Sequence, residues 1–372
     1  MPAALLVLLL CGIAVNVTMV LIATGTDMYS DFAALHASGR AVWAGGPWYA
    51  LPEALRETGT YNLNPPHVTL FVLAPLALLP LSAAALVVWV LIALSALGVV
   101  RLLRRTLPGW WAGGAMALVL PSAASYAAVR FVNLAWPMAF ALTLAWIWMR
   151  EGRTLRAGAL MGVLASMKVF LWLFVPYFVW RREWRAAAAA TTAGTALLCV
   201  GLVGGVDNMR AWVTTLAVYQ GEFLEINLSL YGALARTLTP TRDFAPLLIA
   251  PELVRPLWAL GTVMILATMW WRFRSTRDID AEWSAVLLAA LLISPIGWIY
   301  YLPLAIGPIA ATLLARPVSR SALVGIGLLL LPHLLLTVGQ PNRWLAVTLG
   351  SAYAWGAFLL WQRAGRRARA QG

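Results

Sequence analysis

The chain has 372 residues, of which 62% are hydrophobic and only 11% charged, with a mean hydropathy of +0.81. So much apolar surface excludes a soluble globular protein and points to an all-α polytopic membrane protein, because backbone groups in hydrocarbon must pair within their own segment. The net charge of +13 does not read as nucleic-acid binding: the arginines come in short clusters between apolar runs, as in loops facing an anionic cytoplasmic leaflet.

In chain order, apolar runs predict helices near 3–22, 66–80, 82–100, 110–128, 134–149, 157–180, 186–204, 253–271, 284–299, 301–315, 322–338 and 343–361. That is about 12 transmembrane helices in a single integral membrane domain, 1–372, with membrane lipids as its surroundings. The first run lacks a basic leader and a clear cleavage pattern, so a retained helix is expected there. Clusters such as "RLLRR", "REGRTLR", "RREWR" and "RAGRRAR" belong to a set holding 18 of the 27 basic residues. Placing them all in the cytoplasm makes 66–80 a re-entrant or surface-lying piece and 157–180 a helical hairpin with Lys168 at its outer turn. The rival topology keeps both as single spans and strands two clusters outside; the positive-inside rule favours the first.

Two long segments then face outward, a first outer loop at 24–65 and a second at 205–250. Nine of the fourteen acids fall in or beside them. Within 31–44, Phe32, Leu35, Val42 and Trp43 recur near helical spacing, which predicts a short juxtamembrane helix lying in the interface. Asp31 stands at its N-terminal end and has two readings: a helix cap, or a general base that takes a proton from an acceptor hydroxyl. Asp27 is either a solvated loop acid or a wall of the same pocket. His36 sits about 140° around the helix from Asp31, so the two should not form a dyad.

Lys168 is the one lysine among 26 arginines, and it lies inside an apolar run. An ionisable group at membrane depth defaults to a functional hypothesis; the competing reading is a lysine that snorkels to the interface. Its natural partner would be a lipid-linked phosphate, shared with Arg130 and Arg236 at outward ends of helices. Cys11 and Cys199 lie in apolar runs and predict neither a disulfide framework nor a metal site.

The order of motifs carries a resemblance. Asp-Phe before an Ala-rich helix, then "GGPWY", "YNLNPPHVTLFVLAPLALLPL", "RFVNLAWPMAFAL", the segment "LASMKVFLW", "NLSLYGALAR" and "ISPIGWIYYLPL" resemble the GT-C glycosyltransferases, and more closely glycosyltransferase family 87. Asn133 is retained where that family has Gly-Gln-x-Asn, whereas Arg130 and Phe131 replace Gly-Gln. Tyr300 stands where His is common. The resemblance implies a GT-C-like fold and an enzyme that transfers a sugar, mannose first, from a polyprenyl-phosphate-linked donor to a lipid or glycan acceptor. The reaction would be an inverting displacement on the extracytoplasmic face of the bacterial inner membrane.

In that reading Asp31 is the base. Lys168, Arg236 and Arg130 hold the donor phosphate. Asp27, Tyr49, Asn133, Asn227, Trp298 and Tyr300 bind sugar or acceptor. With a lipid-phosphate donor, neither metal nor cofactor is expected. The departure at Tyr300 leaves room for an arabinofuranosyl donor. A lipid or small-molecule transporter is the rival of another class, but it should show paired half-repeats and several midplane charges, which the sequence does not.

Overall fold

The computed structural model describes residues 30–50, 61–218, 224, 226–240, 245–274, 277–314, 319–331 and 343–366. The predicted span at 3–22 and Asp27 lie outside the described residues. In chain order the helices are α1 (Ser30–Trp43), α2 (Pro66–Leu76), α3 (Leu81–Thr106), α4 (Gly109–Val119), α5 (Ala123–Arg130), α6 (Ala135–Arg150), α7 (Thr154–Met167) and α8 (Val169–Trp180). They continue with α9 (Trp184–Val200), α10 (Val206–Val218), α11 (Leu230–Leu238), α12 (Val254–Phe273), α13 (Ile279–Ile293), α14 (Ile299–Leu314), α15 (Arg320–Leu329), α16 (Arg343–Val347) and α17 (Ala352–Arg366). The described residues form no strand, only an isolated antiparallel bridge between Asn227 and Trp298. The chain divides into two compact units, 22–98 with 128–220, and 1–21 with 99–127 and 221–372.

Among the described residues, three helices are long and apolar enough to cross a membrane: Leu81–Thr106, Trp184–Gly204 and Pro251–Phe273. A fourth crossing results if α4 and α5, bent by 60° at their junction, count as one span. The long helices expose aliphatic side chains in runs that suit lipid, such as Leu86, Val90, Leu94 and Leu97 on α3. Most of the remaining predicted spans are short or interrupted apolar helices, so about twelve full crossings is not what the described helices provide by length. The physical reason is local. Prolines, glycines and one lysine interrupt apolar runs whose composition alone reads as continuous.

The first unit shows how such breaks are used. α6 and α7 are joined by a tight turn in which Gly152 takes φ +74°. α7 then packs on α9 with Gly158 against Ala186 and Gly162 against Ala190. The numbers rise together, so α7 and α9 run parallel. α8 must therefore run back between them, and 154–180 is a hairpin that turns at Lys168. Lys168 leaves helical geometry there (φ −137°, ψ 107°), and α8 opens as a 3₁₀ turn. Trp172 from the returning arm fills the space over Gly194.

It follows that Arg150, Arg153, Arg156, Arg181, Arg182 and Arg185 share one end of this bundle, while Lys168 and the start of α6 lie at the other. The hairpin at 157–180, favoured by charge in the sequence, thus has a packing cause.

α2 begins at Pro65-Pro66, carries a π-helical stretch at Thr69–Leu73 and ends before Pro80. At 1.5 Å per residue it spans roughly 16 Å, about half of a hydrocarbon core. α1 lies against it at Gly39, where any side chain would meet the Leu73 carbonyl. Trp43 Nε1 donates to the Ala74 carbonyl (2.6 Å), and His36 Nε2 meets that of Leu79 (2.9 Å). His36 is thereby a brace for α1.

In the second unit α13 is the core, buried without interruption from Ala281 to Leu292 and capped by Asp278, which accepts from the backbone of Asp280 and Ala281. α15 and α17 approach closely through Gly325 and Gly356.

Replacing Gly162 by Val should force α7 from α9 and destabilise the fold by about 2 kcal/mol or more. A lowered melting temperature in detergent would show it, and Gly113→Ala, with nothing within 4 Å of the added carbon, should leave the temperature unchanged.

Candidate active site

At the lysine end of the first unit, a narrow cleft is walled mainly by aliphatic side chains, with the aromatic Phe32 among the described lining residues. Among the described residues, the polar ones that line it are Asn64, Asn133 and Lys168. Each arrives from a different break in the helical pattern. Asn64 precedes the two prolines that open α2, Asn133 lies in the turn between α5 and α6, and Lys168 is the hairpin turn.

The segment before α2 is held from several sides. Tyr49 donates its hydroxyl to the Asn64 carbonyl (2.7 Å), and Trp212 Nε1 donates to that of Leu63 (3.2 Å). Asn62 accepts the Asn64 backbone N–H (3.0 Å) and donates its amide to Thr69 Oγ1 (3.0 Å). Lys168 Nζ donates to Asn64 Oδ1 at 2.9 Å. Two residues earlier, buried Ser166 donates to the Val163 carbonyl, so its oxygen accepts from His67 Nε2 (3.1 Å). The end of α7 is thus gripped at Ser166 and at Lys168.

Asn133 is set by strain. Val132, buried and β-branched, takes φ +50°, a conformation that such residues rarely adopt. Among the described residues Asn133 Oδ1 is buried with no hydrogen-bond partner, which leaves an acceptor at the wall of the cleft. Backbone strain and an unsatisfied buried acceptor together mark functional surfaces more than packing surfaces.

Asp31 occupies the first turn of α1 rather than the position before it, since the helix already includes Ser30. It is one helical turn from Leu35, which lines the cleft, and so shares Leu35's face of α1. Burial pushes its carboxyl up to about 6, against the opposing pull of the Arg130 guanidinium. A carboxyl in that range exchanges a proton near neutrality.

The other predicted residues are distributed differently. Tyr49 braces Asn64, and burial raises its phenol well above the usual range. In the second unit Arg236 is fully buried, and its guanidinium donates to the Leu224 and Asn227 carbonyls (2.6 and 3.1 Å) and to Ser351 Oγ (3.3 Å). Asn227 accepts from the backbone of Ser229 and Gly297 and donates to the Pro295 carbonyl. These two residues build the loop that leads into α11, which Ser229 caps. Trp298, Tyr300 and Tyr301 form a buried aromatic row, with ring centroids 6.1 and 4.7 Å apart.

The geometry coincides with a family signature: the model of glycosyltransferase family 87 matches residues 61–295, which include Asn64, Asn133, Lys168 and the Asn227 loop. The chain belongs to glycosyltransferase family 87. It is 30% identical over 300 residues to a polyprenol-phosphate-mannose-dependent alpha-(1-2)-phosphatidylinositol pentamannoside mannosyltransferase of Mycobacterium tuberculosis, covering 75% of this chain and 66% of that protein. The protein of the same description in Mycolicibacterium smegmatis is 27% identical over 75% of this chain and 69% of its own length. An M. tuberculosis alpha-(1-2)-phosphatidylinositol mannoside mannosyltransferase is 23% identical over 74% and 66%. The chain therefore spans about two thirds of the length of the curated relatives it matches. No solved structure matches it.

Asn62, Asn64, His67 and Ser166 received no role from the sequence, although "YNLNPPH" was part of the family-like pattern. Asn64 directly before Pro-Pro was the available signal, since that dipeptide fixes an extended approach to a helix start.

The Asp31 carboxyl should titrate near pH 6 in infrared difference spectra of wild type against Asp31→Asn. Because Arg130 holds that value down, Arg130→Gln should move the midpoint to higher pH; an unmoved midpoint would detach Arg130 from Asp31.

Proposed function

We propose that this chain is a membrane glycosyltransferase that moves a sugar, mannose first, from a polyprenyl-phosphate-linked donor to a lipid or glycan hydroxyl. The family and the names of its relatives supply the donor class, and those names also supply an acceptor class, phosphatidylinositol mannosides. The observation that carries the mechanism is Asp31: a carboxyl held near 6, on the helix face that leads into a cleft containing Lys168 and Asn133.

Asp31 takes the proton of the acceptor hydroxyl as its oxygen forms a bond to the anomeric carbon. The bond from that carbon to the phosphate oxygen breaks on the opposite face, and its electron pair leaves with the lipid phosphate. Charge on the phosphate grows during this step, so the Lys168 ammonium favours the transition state over the bound donor. The single displacement inverts the anomeric centre. Asn133 Oδ1 accepts from a sugar hydroxyl, and the aliphatic cleft walls receive the start of the prenyl chain.

Sidedness follows from charge. The six arginines at the far end of the first unit belong in the cytoplasm of a bacterial inner membrane, which leaves the cleft on the extracytoplasmic side. Arg236, committed to loop carbonyls, is left out of the phosphate site. A pentose donor is the second reading, for which Tyr300, where His is common in the family, leaves room. No step requires a metal, so a chelator should not slow turnover.

In membranes supplied with radiolabelled polyprenyl-phospho-mannose, Asp31→Asn should lower turnover by about 10²-fold or more while donor binding persists. Retained turnover would remove Asp31 as base. Mass spectrometry of the product distinguishes the donors: a hexose gain supports mannose, and a pentose gain in parallel assays with the arabinose donor supports the second reading.

A further inference from the structure

His67 is a buried imidazole at the start of α2 that the proposed mechanism does not use. Its Nε2 lies 3.1 Å from Ser166 Oγ, and that hydroxyl donates to the Val163 carbonyl (2.7 Å). With the serine's proton spent there, Nε2 carries the imidazole proton and donates it. The other ring nitrogen agrees. Among the described residues Nδ1 is buried with no hydrogen-bond partner, and a buried lone pair is better tolerated than a buried orphan N–H. On its backbone side His67 abuts the end of α9, where a side chain added at Gly201 would come within 3.3 Å of His67 N and of Pro66. His67 therefore stands where the short α2 meets the ends of both parallel helices, α7 and α9.

Two cross-links join the same pair of chain breaks. Lys168 Nζ donates to Asn64 Oδ1 (2.9 Å). Three residues after Asn64, His67 donates to Ser166, two residues before Lys168. One hydrogen bond alone acts as a pivot, whereas a second on the same two segments fixes their relative orientation. Pro65-Pro66 lies between His67 and Asn64, and two locked φ angles pass a shift of one to the other with little damping. On the facing segment Met167 and Lys168, which both line the cleft, follow Ser166 directly. His67 is not among the described residues that line the cleft, so it acts through those that do.

We infer that His67 is a positioning residue for the donor site: its bond to Ser166 keeps the break that brings Asn64 and the break that brings Lys168 in register, so that the lysine meets the phosphate of the lipid-linked sugar. This rests on the phosphate role proposed for Lys168 and adds the residue that places it. A ligand whose apolar chain is already seated in the cleft cannot follow a displaced ammonium, and a misplacement of about 1 Å is costly.

Calorimetry on the full chain in detergent compares geranyl phosphate, a ten-carbon prenyl phosphate, with geraniol, the same chain without phosphate. The preference of wild type for geranyl phosphate is the phosphate's share of binding. His67→Leu and Ser166→Ala should each lower that preference about 5-fold while geraniol binding stays unchanged. The double variant should lose no more than either single one, since both cut one bond. His67→Gln, whose amide N–H reaches the place of Nε2, should remain within about 2-fold of wild type. An equal loss for both ligands marks a merely structural role and overturns the role of His67. So does a wild-type preference in His67→Leu, or a loss in His67→Gln as large as that in His67→Leu. Should His67→Leu fail to fold, Ser166→Ala decides by the same outcomes. Loss of preference in Lys168→Ala with none in His67→Leu overturns His67 alone. A preference kept in Lys168→Ala, or absent from wild type, overturns the phosphate reading and His67 with it. Neither ligand meets an acceptor, so no result depends on Asp31 as base.

Discussion

The close approach of α7 to α9 is the constraint from which the first unit's chemistry follows. Two glycines and the alanines facing them let the helices pack backbone to backbone in parallel. In a bilayer such small-residue contacts replace the hydrophobic drive that water would supply. Parallel packing of helices separated by one connecting arm admits a single solution, a returning strand of chain between them. The residue at the reversal must leave the helix, and here that residue is Lys168. A lysine in mid-helix would have to reach along its stem toward water. At a turn it stands at the end of the bundle.

Much of this was legible in the sequence for electrostatic reasons. Arginine clusters can be counted, and requiring them on one side of a membrane bends 157–180 into a hairpin before any packing is known. The family pattern was legible as well, because it depends on the order of motifs rather than on any one. The exact number of crossings was not. Hydropathy reports composition, while the breaks at Pro65-Pro66 and Lys168, and the 60° bend after α4, arise from geometry that composition does not encode. Arg236 shows the same limit at a single residue. An arginine at the end of a loop helix reads as a phosphate ligand, but its burial and its carbonyl partners tie it to the loop. Only the three-dimensional arrangement reveals whether a guanidinium's donors are already used.

Asn64 illustrates the converse. A neutral carboxamide carries no charge signature, and its bond to Lys168 is visible only across space. Strain is equally silent in sequence: nothing in "RFVNL" announces that Val132 takes a left-handed backbone. The turn that imposes it is what brings Asn133 to the cleft wall, so the cost is tied to the position of a polar group.

Two opposing effects govern the proposed base. Burial makes the Asp31 carboxylate costly and raises its proton affinity, while Arg130 stabilises the charged form and limits the rise. Burial alone would give a stronger base, protonated and idle over more of the neutral range. A dominant arginine would give an ionised carboxylate too weak to draw a proton from a hydroxyl. The value near 6 lies between these failures. In the proposed mechanism the arginine of "RFVNL", which stands where the family has Gly-Gln, is the charge that tempers the base.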